Sequence, residues 1–195
     1  MKNIILASTS PFRRQLLEKL NLPFDASSPD IDESPLDNET PSQLVARLAL
    51  AKASKVAQHS HAALIIGSDQ VAVFNSEILG KPHNEENAFK QLKAFSGNRV
   101  TFLTGLAVID SYDNKEKIIV EPFHVHFKVL SDSDIRHYIK AEKPFNCAGS
   151  FKSEGLGICL FEKLEGADPN TLIGLPLIRL TEIFKEFGLN VLDYQ

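Results

Sequence analysis

Leu64-Ile65-Ile66-Gly67-Ser68-Asp69-Gln70-Val71-Ala72-Val73 is a pair of apolar, β-prone runs joined by a Gly-Ser-Asp-Gln core. Nearly continuous apolar runs of this kind fit a strand buried on both faces, the pattern of parallel strands in α/β proteins. A carboxylate inside such a strand needs a partner, because an unpaired buried charge is strongly unfavourable. Two readings of Asp69 follow from this stretch. It is either a turn residue bonding nearby backbone amides, or a functional acid facing a metal, a cation or hydrogen-bond donors.

Working outward, Asn3 to Ala7 reads as a second buried strand. Ser8-Thr9-Ser10-Pro11 then supplies hydroxyls, an N-cap and a proline at the first helical position. A strand running straight into a helix N-terminus is a ready anion cradle, although an ordinary capped helix has the same signature. At helical spacing Phe12, Leu16, Leu17 and Leu20 form the inward arc, Arg13 falls inside it, and Arg14 points away. An arginine on the buried face either snorkels or meets an anion, and Arg13 is taken as a phosphate ligand. Residues 24–35 hold Pro29, Asp30, Asp32, Glu33 and Pro35 and form no long regular element. Thr40-Pro41-Ser42-Gln43 is a capping-box start for a helix running to about residue 58. Its apolar arc, Leu44, Val45, Leu48, Ala49 and Val56, contains Lys52, and a lysine there calls for an anionic partner or a snorkelling path to water.

Past the central stretch, Gly80-Lys81-Pro82 holds a cation in a restricted turn, and Asn84 caps a helix to which no chemistry is assigned. Residues 100–109 and 117–129 read as strands, the second alternating Phe123, Val125 and Phe127 with His124 and His126, which are read as a polar sheet face. Ser131 caps a helix to about residue 142. Residues 147–157 are glycine-rich, with Lys152 and Glu154 expected in an extended segment; Asp168-Pro169-Asn170-Thr171 is expected as a turn, and a closing helix over 175–187.

The 195 residues, 43% hydrophobic and 24% charged, suit one globular domain over 1–195, in two lobes. No apolar run reaches membrane-span length, and the N-terminus lacks a leader pattern, so a cytoplasmic protein without a membrane partner is expected. Cys147 and Cys159 make neither a disulfide framework nor a zinc site. The net charge of −4 offers no footprint for duplex nucleic acid. Arg13, Lys52 and Lys81 as cations, with Glu33 and Asp69 as carboxylates for a magnesium ion, describe a polyphosphate site.

These stretches resemble the Maf family of nucleotide pyrophosphatases. The resemblance is carried by Leu6-Ala7-Ser8-Thr9-Ser10-Pro11-Phe12-Arg13-Arg14, Asp32-Glu33, Lys52, Gly67-Ser68-Asp69-Gln70, Gly80-Lys81-Pro82, 149–155, 168–171 and 174–178. It implies an α/β fold like that of inosine triphosphatases: a long mixed sheet in two lobes, surrounded by helices, with a central cleft. It also implies cleavage of a nucleoside triphosphate to monophosphate and pyrophosphate with a divalent metal, Mg2+ or Mn2+. Asp69 matches the family's proton acceptor, and Ser8, Arg13, Glu33, Lys52 and Lys81 match its other site positions. Gln70 and Glu154 resemble the subgroup acting on 7-methyl-GTP, whereas the dTTP and UTP subgroup carries Thr and Gln at the two places. N7 methylation makes guanine cationic, so an aromatic face at Phe12 and a carboxylate at Glu154 both favour it. Phe12 stands where the subgroup resemblance leads one to expect Trp, a stronger cation partner. A nucleotide-binding regulator of cell division is the reading outside enzymology. A homodimer is compatible with the resemblance, and the sequence leaves the oligomeric state open.

Overall fold

A computed structural model describes residues 2–195. Strand β1 (Asn3–Ala7) leads into helix α1 (Pro11–Glu18), followed by β2 (Asp25–Ser27), α2 (Pro41–Ala57), β3 (Ala63–Phe74), β4 (Glu77–Leu79) and α3 (Glu85–Phe95). Strands β5 (Arg99–Asp110) and β6 (Lys115–Phe127), helix α4 (Asp132–Glu142), β7 (Phe161–Glu165), α5 (Asn170–Ile173) and α6 (Leu177–Glu186) complete the main elements. Seven strands form one sheet in the order β2-β1-β3-β5-β6-β7, with β4 added to β3. Strand β1 is parallel to β2 and β3, whereas β4 runs antiparallel to β3 and β7 to β6. The sheet is therefore mixed, as the resemblance implies.

The chain divides into two compact units. The first holds the residues up to Asp69 together with Thr104–Glu121 and Asp168–Gln195. In it, strand periodicity sorts side chains onto two faces. Ile4, Leu6, Leu64, Ile66, Leu106 and Val108 pack with Leu16 and Leu17 of α1 and with Leu177, Leu180, Ile183 and Phe184 of α6. Ala7, Ile65 and Ala107 point the other way and pack with Ala49, Ala53 and Val56 of α2. Small residues bring α2 unusually close: a Cβ on Gly67 would lie 2.1 Å from the Ala49 carbonyl oxygen, and one on Gly105 equally near that of Val45. Side chains larger than hydrogen are excluded there by backbone, which cannot swing aside.

The second unit comprises Gln70–Leu103 and Pro122–Ala167. Its core is aromatic: Phe74, Phe95, Phe102, Phe127, Phe151 and Phe161 meet edge-on or tilted at centroid distances of 4.8 to 5.6 Å. Such geometry aligns the positive ring edge with a neighbouring negative face. Asn84 and Ser131 cap α3 and α4, as their sequence positions predict.

One open reading is closed and two local expectations need correction. Asp69 lies in no turn, because β3 runs unbroken from Ala63 to Phe74. The 147–157 segment is not extended; it folds into 3-10 turns at Ala148–Ser150 and Leu156–Leu160 separated by a hydrogen-bonded turn, with the N–H of Gly157 on the carbonyl of Lys152. Alternation of small and charged residues is shared by strands and tight turns, so the sequence pattern is degenerate there. The closing helix starts at Leu177 and not at 175, since Gly174 adopts φ 119° after the single turn of α5 and Pro176 serves as N-cap.

Candidate functional site

The close approach of α2 to β3 determines the centre of the first unit. Gly67 and Asp69 are two residues apart on one strand and so face the same side, the side α2 covers. Lys52 comes from the turn of α2 that rests on Gly67, and its Nζ donates to Asp69 Oδ1 at 2.7 Å. Both residues are buried, Lys52 at 5% exposure and Asp69 at 7%. The same ammonium reaches Glu33 Oε1 at 2.8 Å. Glu33 is brought there by its own loop: Asp32 Oδ1 accepts the N–H of Ser34, while Arg47 of α2 donates to the Ser34 carbonyl and grips Glu39 through two nitrogens. The Arg47 guanidinium holds the Glu39 carboxyl down at about 2. Asp32 thus shapes the loop, and Glu33 faces the lysine.

Arg13 is the second cation of this unit. Ser10 caps α1 by accepting the Arg13 N–H, which fixes the first helical turn. The Arg13 side chain donates from Nε to the Gly174 carbonyl at 3.0 Å. Burial lowers its guanidinium pKa, and the negative charges of Asp69 and Glu33 oppose that shift. Arg14, by contrast, is exposed and pairs with Glu18 one turn on, as helical periodicity predicts. Ser8 is buried, and its Oγ accepts the N–H of Ser10, shaping the β1–α1 connection. Phe12, in the first turn of α1, is half-buried.

The second unit holds Gln70, Lys81 and Glu154. Gln70 follows Asp69 directly on β3 and is half-buried, whereas Lys81 and Glu154 are exposed. The Cys147 thiol is pushed up by burial; Lys152 and Lys81 pull it down, and Glu154 and Glu142 push it up. The segments carrying Lys81 and Glu154 are joined through α3. Asn87 Nδ2 donates to the Pro82 carbonyl, Gln91 Nε2 donates to the Gly80 carbonyl, and Gln91 Oε1 accepts from the Ser150 hydroxyl. Asn87 and Gln91 lie one turn apart on one helix face.

The chain matches the family model for Maf-like proteins over residues 3–187. This chain belongs to the Maf family. It is 62% identical to a 7-methyl-GTP pyrophosphatase of Pseudoalteromonas translucida, over 98% of this chain and 95% of that protein. A protein of the same name from Colwellia psychrerythraea is 60% identical over 100% of this chain and 98% of its own length. The Ham1 protein of Staphylococcus aureus shares the fold with a TM-score of 0.53 at 15% identity, covering 96% of this chain and 100% of that one.

Within this Maf fold, Lys52 meets both Asp69 and Glu33 in the first unit, where the charges of these two carboxylates also reach Arg13, while Lys81 and Glu154 are exposed in the second. Among the described residues no group of three or more His, Cys, Asp and Glu side chains is placed to hold a metal ion. Two carboxylates meeting at one ammonium are the smaller donor set that magnesium uses alongside waters and substrate phosphates, and Asp69 with Glu33 fits it. Sequence reasoning missed two supports of the 150–157 segment. Glu142 at the end of α4 accepts the N–H of Leu156, and Lys152 Nζ donates to the Glu142 carbonyl. The Tyr138 hydroxyl accepts the N–H of Lys152. Their only sequence signal is an acidic residue ending α4, which reads as ordinary helix surface. For α3 a signal was present: two amide side chains spaced i, i+4. Among the described residues no helix is long and apolar enough to cross a membrane.

Proposed function

We propose that this protein is a cytoplasmic nucleoside triphosphate pyrophosphatase that hydrolyses 7-methyl-GTP to 7-methyl-GMP and pyrophosphate. The observation that carries the substrate is the 62% identity, over 98% of the chain, to a protein named for that reaction. The chemistry rests on the Lys52–Asp69 pair and on Arg13. A water oxygen bonds to the α-phosphorus, the bond from that phosphorus to the oxygen bridging to the β-phosphate breaks, and pyrophosphate leaves with the electron pair. Asp69 takes the proton released by the water, held in place beforehand by its 2.7 Å contact with Lys52. Arg13, Lys52 and Lys81 bind phosphate oxygens and offset the charge that develops on the leaving group, with Ser8 as a further phosphate contact. A divalent cation, Mg2+ or Mn2+, held by Glu33 and Asp69 would supply further charge neutralisation.

Base choice falls to Phe12, Gln70 and Glu154. The ring of Phe12 stacks on the cationic methylated guanine, a contact of about 0.5–2 kcal/mol. That is about tenfold or somewhat more in affinity, so the carboxylate of Glu154 supplies the remaining discrimination.

The test is a panel of triphosphates, 7-methyl-GTP, GTP, dTTP and UTP, assayed for pyrophosphate release with Mg2+ or Mn2+. Preference for 7-methyl-GTP is the expected result. Preference for dTTP or UTP overturns the substrate assignment, and binding without pyrophosphate release under either metal overturns the enzyme assignment. Glu154→Gln should erode the preference for the methylated base more than it slows turnover.

A further inference from the structure

The loop whose Gly174 carbonyl receives Arg13 is itself held from beneath by two buried hydroxyls, one on that carbonyl and one on the carbonyl of Thr171. Ser68 and Thr104 are both 0% exposed and lie on neighbouring sheet strands, on the face that α1 and α6 cover. The Ser68 hydroxyl sits 2.9 Å from both the Gly174 and the Gly105 carbonyl oxygens, sharing its single proton between them. Thr104 Oγ1 donates to the Thr171 carbonyl at 3.0 Å, three residues upstream in the same loop. The loop's ends are secured as well. Asp168, 1% exposed, accepts the N–H and the side-chain amide of Asn170 through Oδ1 and the N–H of Ile178 through Oδ2. Only at Gly174 is the backbone left-handed within the loop, and a side chain there would be strained at φ 119°.

We propose that Thr104 and Ser68 are positioning residues that hold the loop over residues 171–174, Thr104 at the Thr171 carbonyl and Ser68 at that of Gly174, and so aim the Arg13 guanidinium at the phosphates of the nucleotide. The inference rests on Arg13 being a phosphate ligand, as in the reading above. Committing Nε–H to Gly174 fixes the plane of the guanidinium and leaves its terminal nitrogens to form the two-pronged contact that arginine makes with a phosphate. A flexible loop would let the carbonyl wander, and the long arginine side chain with it. Two fully buried hydroxyls on adjacent strands remove that freedom before ligand arrives, which is preorganisation of the binding group. The same strand places Ser68 beside Asp69 on opposite faces, so one rigid segment registers both the acid and the support of the cation.

The experiment uses the full-length protein and inorganic pyrophosphate, a probe that does not depend on the identity of the base, with affinity measured by calorimetry. Thr104→Val keeps the shape and removes the hydroxyl, and Thr104→Ser keeps the hydroxyl. Each is made in the natural protein and in an Arg13→Ala background. Thr104→Val should weaken pyrophosphate binding about tenfold, of the order expected for losing a buried hydrogen bond that holds a charged group in place, and Thr104→Ser should restore it to within about twofold. In the Arg13→Ala background Thr104→Val should add less than about twofold, because the group it acts through is gone. An equal loss in both backgrounds, no loss in the natural one, or a Thr104→Ser loss as large as that of valine overturns the proposal. Unchanged affinity in Arg13→Ala alone instead removes Arg13 from the phosphate site, and the proposal falls with it for that separate reason. If Thr104→Val does not fold, Ser68→Ala is read by the same criteria.

Discussion

Replacing Lys52 by Met separates the electrostatic support of Asp69 from everything else in the first unit. The methionine stem fills about the same apolar space as the lysine stem, so the change deletes mainly a charge. Breaking a buried ion pair by removing one member costs about 3–5 kcal/mol, since the other charge is left without a partner. Two features reduce that figure here. The Glu33 side chain is 57% exposed and rehydrates once released, so its half of the contact contributes under about 1 kcal/mol. Arg13 also stays within electrostatic reach of Asp69. The expected loss is therefore about 2–3 kcal/mol, read as a fall in the urea midpoint with an unchanged slope. Lys52→Met with Asp69→Asn should be more stable than the sum of the single changes by more than about 1 kcal/mol. Additivity to within about 0.5 kcal/mol would refute the idea that this pair is an electrostatic unit.

Two other predictions concern the frame around that pair. Gly67→Ala should destabilise at the top of or beyond the ~1–3 kcal/mol range for overpacking, because the new methyl meets helix backbone and not a movable side chain; a melting temperature within a few degrees of the natural protein's would show that α2 does not rest on β3 as described. Asp110 is fully buried; burial resists its ionisation, but the Lys2 ammonium and the amide N–H groups of Tyr112 and Asp113 outweigh this and hold the carboxyl below its usual range. A depressed carboxyl stabilises the fold above the usual carboxylate range and loses that contribution as pH falls through its folded value. Asp110→Asn should therefore lower stability by about 1–2 kcal/mol near pH 7, with the gap to the natural protein narrowing toward pH 3 in thermal melts; a gap that widens in acid would reverse the sign of the argument.

Much of the frame was legible because it is written in local periodicity. The caps at Ser10, Thr40, Asn84 and Ser131, the inward arcs of α1 and α2, and the opposed settings of Arg13 and Arg14 all follow from helical spacing and hydrogen-bond chemistry within a few residues. Lys52 was legible for the same reason, as a charge on an apolar arc. The segments that misled, 147–157 and 170–176, are those whose conformation depends on distant partners: Glu142 and Tyr138 for the first, Ser68, Thr104 and Arg13 for the second.

By itself, then, the sequence determined that a carboxylate interrupted an apolar, β-prone stretch, which residues carried charge toward the core, and which family pattern they matched. Only the tertiary structure decided that the strand passes through Asp69 without a turn and that the partner of its carboxylate is Lys52. The physical reason is distance along the chain. Seventeen residues separate those two side chains, and their meeting depends on a glycine at 67 whose missing side chain lets one helix settle against the backbone of one strand.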